Sequence, residues 1–256
     1  MKRVVWKRAC AAVQGRSHLI DQTPCQDSVA TTYRRNVSAI ALSDGAGSAS
    51  HSQFGSEVCA RTLCAILCRH FDEIWHMDQQ NARCKIVSTL QGQLGCKAEE
   101  LAVDVSALAA TILAVAVKKN RYIAIHLGDG VIGAEVAASD GSHELVTLSA
   151  PENGEHSNET FFVTSGSAEA HVNVLLGNIR ERDRGDITGF ILMSDGPEAA
   201  LYRKADRALA PACLKLLGSA RGLKKTDYRH GLRGTLELIA RSKTHDDCSI
   251  AIMARV

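Results

Sequence analysis

A chain of 256 residues can bury one sizeable core without dividing, and its formal charge of +2, with no block of like charges, marks neither a nucleic-acid face nor a disordered tail. The opening Met1-Lys2-Arg3-Val4-Val5-Trp6-Lys7-Arg8 brackets too short an apolar stretch for an export signal, and the longest uncharged run, Val105 to Val117, falls short of the roughly 20 residues that a spanning helix needs. The expectation is a monomeric cytoplasmic chain, one domain over 1–256, with no nucleic-acid or membrane partner. Nine cysteines are an odd number and none forms Cys-x-x-Cys, which argues for reduced thiols; Cys59, Cys64 and Cys68 share one helical stretch as small apolar fillers.

In chain order, the apolar run Val37 to Leu42 predicts a strand. Phe54, Val58, Ile66 and Leu67 then fall near helical spacing, with Ser52 available as a cap, and a second helix is predicted over Asn81 to Val103 despite Gly92 and Gly95. Two apolar stretches, Thr111 to Val117 and Tyr122 to Leu127, flank the polar Lys118-Lys119-Asn120-Arg121 and read as a hairpin. Strands follow at Val131 to Ala137 and Glu144 to Leu148, then a long polar loop from Ser149 to Ser167, then a strand at Gly189 to Met193. Pro211 and Gly218 bracket a short helix, Leu232, Leu236 and Ile239 mark another, and Ser249 to Met253 closes the chain as a strand. Strands and helices come in blocks rather than alternating, which predicts an α+β fold.

Asp-Gly occurs at four places. Asp140-Gly141, between two predicted strands, reads as a tight turn. The other three, Leu42-Ser43-Asp44-Gly45, Leu127-Gly128-Asp129-Gly130 and Met193-Ser194-Asp195-Gly196, each end an apolar strand with a small residue and a carboxylate. A carboxylate there is costly unless paired or neutralised, so several converging on one place call for a cation, and hard oxygen donors select Mg²⁺ or Mn²⁺ over zinc. The glycine after each aspartate is expected to let the backbone turn sharply. Cys25-Gln26-Asp27 and His245-Asp246-Asp247 add two further acidic places, either of which alone reads as a cap or solvated turn.

The ordered series of these motifs resembles the metal-dependent type 2C serine/threonine phosphatases, especially their compact bacterial branch. It runs from Gly15-Arg16-Ser17-His18 and Cys25-Gln26-Asp27, through Ser43-Asp44-Gly45-Ala46-Gly47, Ala110-Thr111 and Leu127-Gly128-Asp129, to Met193-Ser194-Asp195-Gly196 and Asp246-Asp247-Cys248-Ser249. The resemblance implies a central two-sheet antiparallel β-sandwich flanked by helix pairs, in four α-β-β-α layers. It implies two Mn²⁺ or Mg²⁺ ions bridged by Asp44, with the Gly45 carbonyl on one and Asp195 and Asp246 on the other. Asp129, with Asp195, matches the position that holds a third ion in bacterial members. Asp27 would orient the attacking water. The implied substrate is a phosphorylated protein whose phosphoserine or phosphothreonine was made by an opposing kinase.

Three departures bear on that reading. Many relatives place a phosphate-gripping arginine where this chain has Gln22, so Arg16 or His18 is the candidate replacement. Ala46 stands where animal enzymes carry a histidine, leaving His51 and metal-bound water as candidate acids, and Gln26 replaces a residue that is often acidic. The alternatives are a catalytically weak module that binds a phosphorylated partner, or a two-metal hydrolase of small phosphate compounds.

Overall fold

The computed structural model describes residues 4–151, 160–181, 185–222 and 224–256. The elements in chain order are β1 (Trp6–Val13), α1 (Arg16–Asp21), β2 (Ser28–Arg34), β3 (Val37–Ser43), α2 (Ser52–His76) and α3 (Gln79–Leu101). A 3₁₀ turn (Val105–Leu108) leads to β4 (Ile112–Lys118), β5 (Arg121–Leu127), β6 (Val131–Ala137), β7 (His143–Ser149), α4 (Ala168–His171), β8 (Asn173–Asn178) and β9 (Arg180–Glu181). The chain ends with β10 (Gly185–Met193), α5 (Glu198–Leu201), β11 (Tyr202–Arg203), β12 (Ala208–Leu209), α6 (Ala212–Gly222), α7 (Lys225–Ser242) and β13 (Cys248–Arg255).

Two antiparallel sheets face each other. One orders its strands β1-β13-β10-β6-β7, with β9 also on β10, and the other β2-β3-β4-β5-β8. Their inner faces bury Ile40, Leu42, Leu113, Val115, Phe190, Leu192 and Met253 in one apolar layer. Outside the second sheet, α2 and α3 cover it with Leu63, Leu67, Phe71, Ile86 and Leu90. Outside the first, α6 and α7 contribute Leu217, Leu232 and Leu236. Each such side chain, fully buried, contributes about 1.5–3 kcal/mol, so both helix pairs are held by their apolar stripes rather than by intrinsic helix propensity. The order of layers is α-β-β-α, the predicted α+β sandwich. No helix among the described residues is long and apolar enough to cross a membrane.

Several expectations need adjusting. Ser52 does not cap α2: His51 holds the cap position without a side-chain bond, and the Ser52 hydroxyl is buried inside the first turn without a partner among the described residues. Gly92 and Gly95 do not interrupt α3, whose buried Ile86, Leu90 and Leu94 outweigh a propensity cost of about 1 kcal/mol per glycine. The helix after Pro211 runs past Gly218 to Gly222. Asp140-Gly141 is the turn expected, with the Ser142 amide donating to Asp140 Oδ1 at 2.8 Å and Gly141 at φ +84°. Part of the predicted 149–167 loop, 152–159, lies outside the described residues.

Candidate active site

The antiparallel pairing brings one end of β3, β6, β10 and β13 together, and with it the loops that carry the acidic motifs. β3 delivers Asp44 and Gly45, the β5–β6 connection delivers Asp129, β10 delivers Asp195, and the approach to β13 delivers Asp246 and Asp247. A cleft of about 570 Å³ opens there, lined by Asp44, Gly45, Asp129, Asp195, Asp246 and His18 among others. Asp27 lies directly beneath, 5 % exposed. Residues far apart in sequence therefore reach one cleft, with carboxylates from both sheets.

The backbone around Asp44 is fixed from several sides. Its amide donates to Thr111 Oγ1 at 3.0 Å while its carbonyl accepts from the Thr111 amide at 2.8 Å. Gly45 bridges to Ala110, and a side chain at Gly45 would meet the Ser52 backbone at 2.8 Å. At Gly196 a Cβ would lie 1.8 Å from the Asp247 carbonyl oxygen. Neither glycine, nor Gly130, adopts a positive φ, so the expected sharp turn by glycine freedom is not what these positions use; close backbone approach is. The exception precedes an aspartate: Gly128 sits at φ +119°.

Two buried groups lock the loops. Asp247, 2 % exposed, accepts from the Gly15 amide at 2.7 Å and the Gln26 amide at 2.6 Å, joining the loop before β2 to the start of β13. His126, 5 % exposed, lies 3.1 Å from the Gly128 carbonyl through Nε2 and 2.7 Å from Ser149 Oγ through Nδ1. A carbonyl can only accept, so Nε2 carries the proton and Nδ1 accepts from the serine. Burial lowers the His126 pKa to about 4, keeping the ring neutral. Neither residue stood out in sequence: Asp247 was one of an adjacent pair in which Asp246 took the ligand role, and His126 ends an ordinary apolar strand.

The electrostatics at the cleft are those of crowded carboxylates. Burial, then the neighbouring Asp247 charge, raises Asp27 to about 7. Burial, then Asp27, Asp195 and Asp129, holds Asp44 well above the carboxylate range. Asp195 rises to about 7 through burial, then Asp246 and Asp129. Asp27 Oδ2 accepts from Ser194 Oγ at 2.8 Å, but its Oδ1 and Asp195 Oδ1 are buried with no partner among the described residues. Among the described residues no lysine or arginine lines the cleft. Oxygen-only donors, orphaned atoms and mutual repulsion suit a hard divalent cation. Among the described residues no three acidic, histidine or cysteine side chains are gathered at ligating distance around one point.

The remaining candidates divide. His18 Nδ1 lies 2.9 Å from Asp247 Oδ1 but without hydrogen-bond geometry. Gln22 is exposed at the end of α1 and lies outside the cleft lining, as does His51, whose Nδ1 contacts Ser50 Oγ at 2.9 Å. Arg16 turns to the rim, donating to the Thr244 carbonyl at 3.1 Å beside His245. Thr160 Oγ1 donates to Asp129 Oδ2 at 3.0 Å, and Phe162 lines the cleft, so the described end of the 149–167 loop does lie over the site.

No curated protein matches this sequence. Solved structures do. The chain is similar to the catalytic domain of the serine/threonine protein phosphatase PstP in complex with two manganese ions, at 18 % identity and TM-score 0.63, covering 99 % of this chain and 100 % of that one. It is similar to the S. agalactiae serine/threonine phosphatase, at 17 % identity and TM-score 0.61, over 98 % and 99 % of the two chains. Stp1 from Staphylococcus aureus matches at 16 % identity and TM-score 0.59, over 98 % and 95 %. At such identities the likeness speaks for the fold. The family profile of protein phosphatase 2C matches residues 14–237, stopping short of Asp246, which the structure nonetheless brings into the cleft. With that match over most of its length and the sandwich of bacterial phosphatases, this chain belongs to the protein phosphatase 2C family.

Proposed function

We propose that the chain is a divalent-metal-dependent phosphatase acting on phosphoserine and phosphothreonine in proteins. The observation that carries this reading is the crowding of buried Asp27 with half-buried Asp44 and Asp195, with an orphaned oxygen on Asp27 and on Asp195 and no lysine or arginine among the described residues lining the cleft. Asp44, the Gly45 carbonyl, Asp195 and Asp246 would hold two Mn²⁺ or Mg²⁺ ions, and Asp129 with Asp195 a third. When bound, such ions lower the pKa of water and neutralise charge on phosphoryl oxygens.

The chain's own residues hold the parts in place. Ser194 holds Asp27 through one oxygen, and the other, without a partner among the described residues, would orient the attacking water. Thr111 fixes the Asp44 backbone, Asp247 fixes the loop that carries Gln26 and Asp27, and His126 fixes the turn before Asp129. His18 and His245 line the cleft and take the phosphate-gripping role that Gln22, exposed elsewhere, does not fill. Gln22, exposed where the phosphate-gripping arginine is expected, favours the second reading, a catalytically weak module that binds a phosphorylated partner.

One experiment separates the readings. Steady-state hydrolysis of a phosphothreonine peptide, of para-nitrophenyl phosphate and of small phosphorylated metabolites is measured in Mn²⁺ and in EDTA. Metal-dependent turnover favouring the peptide is expected. Peptide binding without turnover selects the binding module, and preference for a metabolite selects the small-molecule hydrolase.

A further inference from the structure

We propose that the groove between β2 and α2 docks an extended acidic segment of the phosphoprotein substrate, an inference that rests on the phosphatase reading above. The groove, about 300 Å³, is lined by Arg34 and Arg35 at the end of β2 and by Arg61 and Arg69 on α2, with Thr31 and Thr32 between them. All four arginines are exposed. Arg61 touches the exposed Glu57 at 2.7 Å, whereas Arg34, Arg35 and Arg69 form no ion pair with a described residue. Arg61 and Arg69 belong to α2 and Arg34 and Arg35 to the end of β2, so positive charge lines both walls of the groove. Arg35 is also held at φ 52°, followed by Asn36 at φ 61°, in a two-residue turn of the kind that favours Asn and Gly.

The backbone supplies the second half of the site. β2 is the end strand of its sheet, and its outer edge pairs with no described strand. Edge strands often carry charge simply to prevent self-association, which would account for Arg34 and Arg35. It does not account for Arg61 and Arg69, which lie on the facing helix. Free edge amides and carbonyls bind an incoming extended polypeptide, and the arginines select one rich in Asp and Glu. Nucleic acid and lipid headgroups offer the charge but not the strand. β2 starts at Ser28, next to Asp27, so a chain laid along it leads toward the cleft; Arg34 lies about 23 Å from Asp27 at a strand rise of roughly 3.3 Å per residue.

The test uses the full chain and its Arg34→Glu/Arg61→Glu/Arg69→Glu variant, with the corresponding Gln variant should charge reversal prevent folding. Substrates are para-nitrophenyl phosphate, a phosphothreonine peptide with neutral flanks, and the same peptide with an Asp/Glu run about seven residues from the phosphate, placed on either side. The acidic peptide should show a KM roughly tenfold below the neutral one in the wild type, a difference the variant loses while kcat and aryl-phosphate turnover stay within about twofold. In EDTA, fluorescence anisotropy of the unphosphorylated acidic peptide reads docking without chemistry. Salt-sensitive binding lost in the variant supports the groove even if no substrate is turned over, a result that would sink the phosphatase reading alone. Equal binding by wild type and variant overturns the docking site, as does binding of phosphatidylserine vesicles or poly-uridylate that depends on the same arginines while the peptide's does not.

Discussion

At the level of single side chains, the cleft is a set of crowded carboxylates, and Asp195 is where the proposed metal site is most exposed to test. Its Oδ1 is buried without a partner, and the Asp246 and Asp129 charges act on it. Removing the carboxylate relieves repulsion in the metal-free protein, so Asp195→Ala should fold with unchanged or higher Tm in EDTA. Turnover should fall by at least about a hundredfold, since even residues behind the ligands cost roughly 10–100-fold in affinity or activity. Near-normal Mn²⁺-dependent turnover would remove Asp195 from the ligand set, and failure to fold would make its turn purely structural. Gly196→Ala makes the opposite forecast. A methyl 1.8 Å from the Asp247 carbonyl forces the start of β13 away from β10, so stability should drop by about 1–3 kcal/mol in EDTA and Mn²⁺ alike. Thermal melting in both conditions distinguishes the two variants.

At the level of elements, legibility in the sequence followed apolar contrast. β3, β4, β5, β6 and the second half of β10 are nearly continuous buried apolar runs, and for β3, β5 and β10 the strand and its carboxylate-bearing end are readable together. β1 was not, because Lys7, Arg8 and three alanines dilute its alternation, and alanine carries little β preference. β2 was missed for a related reason: as an end strand it is half-exposed throughout, so its composition carries no strong apolar signal. The locks formed by Asp247 and His126 depend on contacts across 232 and 23 residues, which no local pattern encodes. The crowding these elements impose has a pH signature. Asp27 and Asp195 titrate at about 7 in the folded, metal-free protein against 3.8 for an unperturbed carboxyl. The folded state therefore holds protons that the unfolded chain has released, and stability present at low pH is lost as pH rises through 7. His126, lowered to about 4, works in the other direction, but its contribution is complete above pH 6.5. Between pH 6.5 and 8.5 the Tm in EDTA should fall, by an amount corresponding to roughly 1–4 kcal/mol, and Asp44→Asn should flatten that slope. Saturating Mn²⁺ should flatten it too, because a bound cation favours the ionised carboxylates. A Tm in EDTA that rises over this window contradicts the crowding.

At the level of the whole molecule, the cleft straddles the seam of the sandwich. Asp44 comes from the sheet covered by α2 and α3, whereas Asp195 and Asp246 come from the sheet covered by α6 and α7. The sheets are otherwise joined face to face by the apolar layer around Leu42, Leu113, Phe190 and Leu192, which is non-directional and sets no charge geometry at the cleft. An ion held by carboxylates from both sheets binds only when both are in place, so its binding energy opposes any opening that separates them. At a free Mn²⁺ concentration about 100 times the Kd, the native state gains about 2.7 kcal/mol, which slows exchange through global unfolding roughly a hundredfold. Amide hydrogen exchange followed by mass spectrometry should therefore show this added protection in β3 and β4 of one sheet and in β10 and β13 of the other. In Asp195→Ala the gain should shrink in all four strands together, including β3 and β4, which hold no part of the altered side chain. Protection that grows in one sheet only, or that Asp195→Ala removes from β10 and β13 while sparing β3 and β4, would mean that the metal is held by one sheet alone and that the carboxylates across the seam do not share it.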